Sequence, residues 1–167
     1  MKAFRNSYLA YLFLYSFYFM STALFTTLIS VYLIGRQYSA SQVSNLVSTA
    51  FFLSMLAQPL FGYINERFGI VKITTLSLVV LMAGVGGFIW APNYFWLTIF
   101  YGLGLLCLNG TAPMMEVFAT QSPYAFGKIR VWGTLGYAAG AQLAGWLYAH
   151  LSPQSVYYCV LVTLLLS

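Results

Sequence analysis

An all-α polytopic membrane protein is the fold class this sequence predicts, and three observations carry it. Hydrophobic residues fill 61% of the 167 positions and charged residues only 5%, where a soluble domain carries about a quarter charged. Mean hydropathy is +0.82. The few charges divide the chain into apolar stretches, Asn6 to Gly35, Gln37 to Asn65, Ile73 to Met115 and Val131 to Ser167, each long enough for a span of about 20 residues.

The first helix is expected at about residues 8–34. The start "MKAFRNSY" resembles a basic signal-peptide n-region, but the following apolar run is about twice the usual h-region length. A retained first span is therefore the expectation. Tyr11, Tyr15, Tyr18 and Thr22 fall on one face of it. That stripe is either a protein-facing or water-facing surface, or an aromatic helix–helix contact.

Further helices are expected at about 42–64 and 71–90, then at about 94–119 and 126–150. "APN" (Ala91 to Asn93) splits the long stretch that begins at Ile73, because proline and asparagine mark a turn. Glycines recur at Gly84, Gly86 and Gly87, at Gly102 and Gly104, and at Gly133, Gly136 and Gly140. "GYAAG", extended by Ala144, is a small-xxx-small face that permits close helix packing. A last helix, about 154–167, covers only about 21 Å of a core about 30 Å thick. The chain then stops in "LVTLLLS", so a chain truncated within its sixth helix is expected.

Lys2, Arg5, Arg67, Lys72 and Lys128 fall on one side under alternating topology, and Arg36 on the other. By the positive-inside rule the amino terminus is cytoplasmic. The net charge of +5 is then accounted for by membrane flanks, with no nucleic-acid partner implied. Cys107 and Cys159 lack metal-ligand spacing, the sole histidine is His150 near an outer helix end, and two carboxylates supply no catalytic set. No enzyme, metal or cofactor is expected. "NGT" at Asn109 matches a glycosylation sequon but lies inside an expected span.

The chemistry gathers in "TAPMMEVFATQSPYAFGKIRVWG" (Thr111 to Gly133), which holds Glu116, Lys128 and Arg130. A charge at the centre of a membrane helix costs about 2.5–3.5 kcal/mol on insertion scales. The midpoint between residues 116 and 130 is Pro123. An antiparallel hairpin folded there sets Glu116 and Arg130 at one depth on adjacent helices. Lys128 lies about 200° round the helix from Arg130. Tyr137 is seven residues after Arg130, and Asn109 seven before Glu116, so each shares its partner's face. Carboxylate, guanidinium, amide and aromatic ring together suit a polyhydroxylated ligand. A buried ion pair joining two helices is the other reading of the same charges.

"AQPLFGYINERFGIVK" (Ala57 to Lys72) resembles the segment after the second helix in the major facilitator superfamily, matching at Gly62, Glu66, Arg67, Gly69 and Lys72. With "NGTAPMMEVF" and "FGKIRVWGTLGYAAGA", the chain from residue 1 to about 150 is similar to the lactose permease-like branch of oligosaccharide–proton symporters. The resemblance implies the six-helix amino-terminal half of a twelve-helix transporter, with its site at mid-membrane between two halves. It implies a sugar and protons as ligands, the cytoplasmic membrane as location, and a carboxy-terminal half holding most proton-coupling residues as missing partner. It assigns sugar binding to Glu116, Arg130, Tyr137 and Asn109, and conformational coupling to the Gly62–Lys72 motif.

Three positions depart from the family pattern. Tyr137 stands where the family carries tryptophan, and Glu66 where it carries aspartate. "FATQ" (Phe118 to Gln121) stands in place of an acid–base pair, so the latch is either weaker or uses Lys128 instead. Two other readings accompany this one: a superfamily transporter of nucleosides or aromatic acids, and a non-transporting membrane fragment.

Overall fold

The computed structural model describes residues 7–167. Lys2 and Arg5, two of the residues behind the expected orientation, lie outside the described residues. Within them every regular element is helical: α1 (Tyr8–Thr26), α2 (Ile29–Gly35), α3 (Ala40–Phe68), α4 (Ile70–Trp90), α5 (Tyr94–Thr120), α6 (Phe126–His150) and α7 (Ser155–Leu166). Tyr8–Gly35, α3, α4 and α5 are long and apolar enough to cross a membrane. At 25 residues, about 37 Å, α6 has the length but not the hydropathy. Lys128, Arg130, Gln142 and its glycines dilute it. α7 is apolar but has 12 residues.

Local chemistry explains the boundaries. Ser7 caps α1 by accepting from the Ala10 N–H at 3.3 Å. One helix is expected over about 8–34 from periodicity, but the structure breaks it at Thr27 and Leu28. Thr22 and Thr26 donate back to the carbonyls of Tyr18 and Thr22 at 3.0 and 2.8 Å, bonds that bend helices. α3 begins earlier than its expected start because Ser39 and Gln42 form a reciprocal capping box. It ends at Gly69, whose φ of 88° is a conformation other residues rarely adopt. Asn93 accepts from the Trp96 N–H at 3.2 Å and starts α5. Pro59 and Pro113 sit inside α3 and α5, as membrane helices tolerate.

The chain divides into two compact units. The first comprises α1, the end of α5 from Met115, α6 and α7. Here the α6 glycines let α1 approach closely. A Cβ at Gly136 would collide with the Ser16 backbone, and one at Gly140 would lie 2.7 Å from the Met20 carbonyl oxygen. On α7, Thr163 accepts from the Ser21 hydroxyl at 2.8 Å. Tyr157 meets Phe25 edge-on at 6.2 Å. Close backbone approach and interhelical hydrogen bonds are what join helices in lipid.

The second unit runs from Ser30 to Met114. Phe88 packs against Tyr32 and Tyr101, with ring centroids 5.6 and 5.9 Å away. A Cβ on Gly84 would meet the Phe100 and Gly104 backbone at 3.5 Å. Tyr94 donates to the Gln42 carbonyl at 2.9 Å.

Candidate functional site

The α5–α6 turn builds the site. Ser122 donates to the Ala119 carbonyl at 2.8 Å and accepts from the Tyr124 N–H at 3.3 Å. These bonds turn the chain around Pro123, between the end of α5 and the start of α6. Tyr124 also packs edge-on against Tyr8 and Tyr11 of α1, at 5.3 and 6.1 Å. Trp132 donates its indole N–H to the Tyr8 hydroxyl at 2.7 Å. The turn is thereby tied to the start of α1.

Across this hairpin Arg130 Nη1 lies 3.3 Å from Glu116 Oε1. The Arg130 and Glu116 side chains are 41% and 40% exposed, so the pair is open rather than sealed between helices. Arginine has five donors and a carboxylate about four acceptor sites. One contact therefore leaves most of this capacity facing outward.

Arg130 also borders a cleft of about 280 Å³ with Phe19, Gly133, Thr134, Tyr137 and Ala138. Tyr137 is 43% exposed, and its ring stands two turns along α6 from Arg130. The guanidinium carbon lies 4.8 Å from the Phe19 ring centroid. The Arg130 donors and two aromatic rings thus share one opening in the first unit, while Glu116 is joined to it through Arg130 and is not among its lining residues. Lys128 is exposed and does not line it.

Asn109 is placed elsewhere. It belongs to the second unit, where its amide donates to Ser54 on α3 at 2.9 Å. The shared helix face with Glu116 is real along α5, but Asn109 is not among the residues lining the cleft. Gly62, Glu66 and Arg67 lie exposed near the end of α3, Gly69 makes the turn, and Lys72 is exposed in the first turn of α4. The guanidinium of Arg67 sits 5.5 Å from the Phe68 ring. Among the described residues, no His, Cys, Asp and Glu side chains group as metal ligands would.

Sequence reasoning passed over Phe19 and Thr134. Thr134 was within reach, four residues after Arg130 on the same face. Phe19 stands beside the tyrosine stripe and nothing local marks it. Of that stripe, Tyr15 and Tyr18 are buried in aromatic contacts with Phe19, so those two positions are helix contacts.

A family model, the MFS_1 like family, matches residues 8–167. The chain belongs to this major facilitator family. It is 28% identical over 171 residues to a sucrose permease of Escherichia coli, covering 94% of this chain and 41% of that protein. It is 28% identical over 164 residues to a maltose permease of Geobacillus stearothermophilus, covering 92% of this chain and 40% of that protein. The chain thus spans about two fifths of the curated relatives it matches. No solved structure matches. Family membership and the apolar helices make this a multi-pass membrane protein.

Proposed function

We propose that this chain contributes half of the substrate site of a secondary active transporter that takes up a disaccharide or oligosaccharide with protons. The observation that carries this reading is Arg130, which pairs with Glu116 and also borders the cleft shared with Tyr137. Glu116 accepts from sugar hydroxyls, Arg130 donates to them, and the Tyr137 ring covers an apolar C–H face of the pyranose. The two relatives whose names specify sugars support the substrate class. A second half, facing this one within the membrane, completes the site. The distribution of Arg36, Arg67, Lys72 and Lys128 supports a cytoplasmic amino terminus, and the family resemblance implies the cytoplasmic membrane.

The resemblance also assigns Asn109 to sugar binding. Its amide is engaged by Ser54, and Asn109→Ala reads its role separately. The Gly62–Lys72 motif is assigned to coupling of helix movements.

The test is sugar binding and accumulation by the full-length gene product in membrane vesicles. Glu116→Gln and Arg130→Gln should each abolish both for sucrose or maltose. Normal accumulation by either variant would refute the site. Stabilisation of the protein by nucleosides or aromatic acids but by no sugar would redirect the substrate class.

A further inference from the structure

The cleft beside Arg130 has an aromatic ring from each of two helices, Tyr137 from α6 and Phe19 from α1. The two rings are held differently. Tyr137 is 43% exposed, whereas Phe19 is fixed on several sides. The Arg130 guanidinium lies over its ring at 4.8 Å. Tyr18 meets it edge-on at 5.3 Å, and Tyr15 lies tilted against it at 5.7 Å.

Gly133 completes the socket. A Cβ there would lie 2.7 Å from Phe19 Cδ2 and 3.0 Å from Cε2, closer than carbon atoms approach. Absence of a side chain at residue 133 is therefore what lets the ring occupy its position. A ring so packed is a fixed wall, and a fixed wall discriminates by size because it cannot yield to a larger ligand. The same ring gives the guanidinium a face to rest on, which restricts where its donors point.

We propose that Phe19 is a specificity-determining residue, which with Gly133 sets the width of the cleft and holds Arg130 in its binding position. The inference rests on the sugar reading above. It adds that the Phe19 side of the cleft admits a hexose-sized group and disfavours a longer, rigid aryl group. Phe19 acts on the hydroxyl contacts through Arg130, as a positioning residue, and on ligand size directly.

The experiment measures affinities of methyl α-glucopyranoside and 4-nitrophenyl α-glucopyranoside for the full-length gene product in nanodiscs, by competition against labelled sucrose. Phe19→Ala should shift the affinity ratio toward the nitrophenyl glycoside about tenfold. It should weaken the methyl glycoside about threefold to tenfold as Arg130 loses its platform. Phe19→Tyr, which keeps the ring, should leave the ratio within about twofold of wild type. Gly133→Ala, which displaces the ring without deleting it, should shift the ratio in the same direction as Phe19→Ala. Should Phe19→Ala not fold, Phe19→Leu replaces it with the same expected direction.

An unchanged ratio, or equal effects of the alanine and tyrosine variants, overturns the proposal. Equal weakening of both glycosides also overturns it, since that is what a purely structural residue produces. Glu116→Gln separates the two layers. Binding lost in Glu116→Gln with no ratio change in the Phe19 variants defeats this inference alone. Failure of the wild type to bind sugar defeats the sugar reading, and this inference with it.

Discussion

The hydroxyl of Tyr15 on α1 donates to the main-chain carbonyl of Met115 on α5, the residue immediately before Glu116. Tyr15 is fully buried, and its ring also lies against the position that a Gly133 side chain would fill. One side chain thus ties α1 to the end of α5 that presents the carboxylate, and packs on the helix that presents the guanidinium.

Removing that hydroxyl tests the tie. Tyr15→Phe should lower stability by about 0.6 kcal/mol and by no more than about 1.7, the range of interhelical hydrogen bonds in membranes. Thermal unfolding in detergent reads the loss. Sugar affinity should fall with it, because the last turn of α5 loses its anchor. Lower stability with unaltered affinity would show that Tyr15 does not hold Glu116 in place.

The α6 glycines should differ sharply from one another. Gly136→Ala places a methyl group against the Ser16 backbone, and overpacking of this kind costs about 1–3 kcal/mol. Gly145 has nothing within 4 Å of a Cβ, so Gly145→Ala should be neutral or stabilising by up to about 1 kcal/mol. Equal melting temperatures for the two variants would mean that α1 and α6 do not pack as closely as described.

Exchanging the charges separates a binding pair from a structural one. The half-exposed Glu116–Arg130 pair should contribute less than about 1 kcal/mol to stability, so neutralising either residue should barely change the melting temperature. The double variant Glu116→Arg, Arg130→Glu restores attraction but not the placement of a guanidinium over Phe19. It should remain inactive in sugar accumulation. Recovery by the exchange would return the pair to a purely structural role.

The two glycines of the α3–α4 motif should also part company. Gly69 has φ +88° and Gly62 has open space around its Cβ. Gly69→Ala should cost about 1–2 kcal/mol from backbone strain, while Gly62→Ala should not lower stability. If Gly62→Ala nevertheless slows sugar accumulation, its role is in helix movement and not in folding.

Much of the candidate site was legible because its geometry is local. Glu116 and Arg130 are joined by one short turn, and helical periodicity puts Tyr137 on the Arg130 face whatever surrounds it. The same rule aligned Asn109 with Glu116, and there it was insufficient. Sharing a face of α5 does not choose a partner, and Ser54 on α3 takes the Asn109 amide. The tyrosine stripe shows the same limit. Spacing identified a face of α1 but left its neighbour open, and packing buries Tyr15 and Tyr18 among aromatic rings and the α6 glycines.

By itself the sequence determined that this is an all-helical chain of the membrane, and that Glu116 and Arg130 flank one short turn. Hydropathy, periodicity and turn chemistry act within a few residues and can be read along the chain. Only the tertiary structure decided that Phe19 stands over Arg130, that Gly133 makes room for it, and that the ion pair stays half open beside a cleft. Those facts depend on which side chains distant helices bring into contact, and in lipid that choice rests on shape complementarity between apolar surfaces. Hydropathy is nearly blind to shape, so the wall of the cleft appears only when α1 and α6 are packed together.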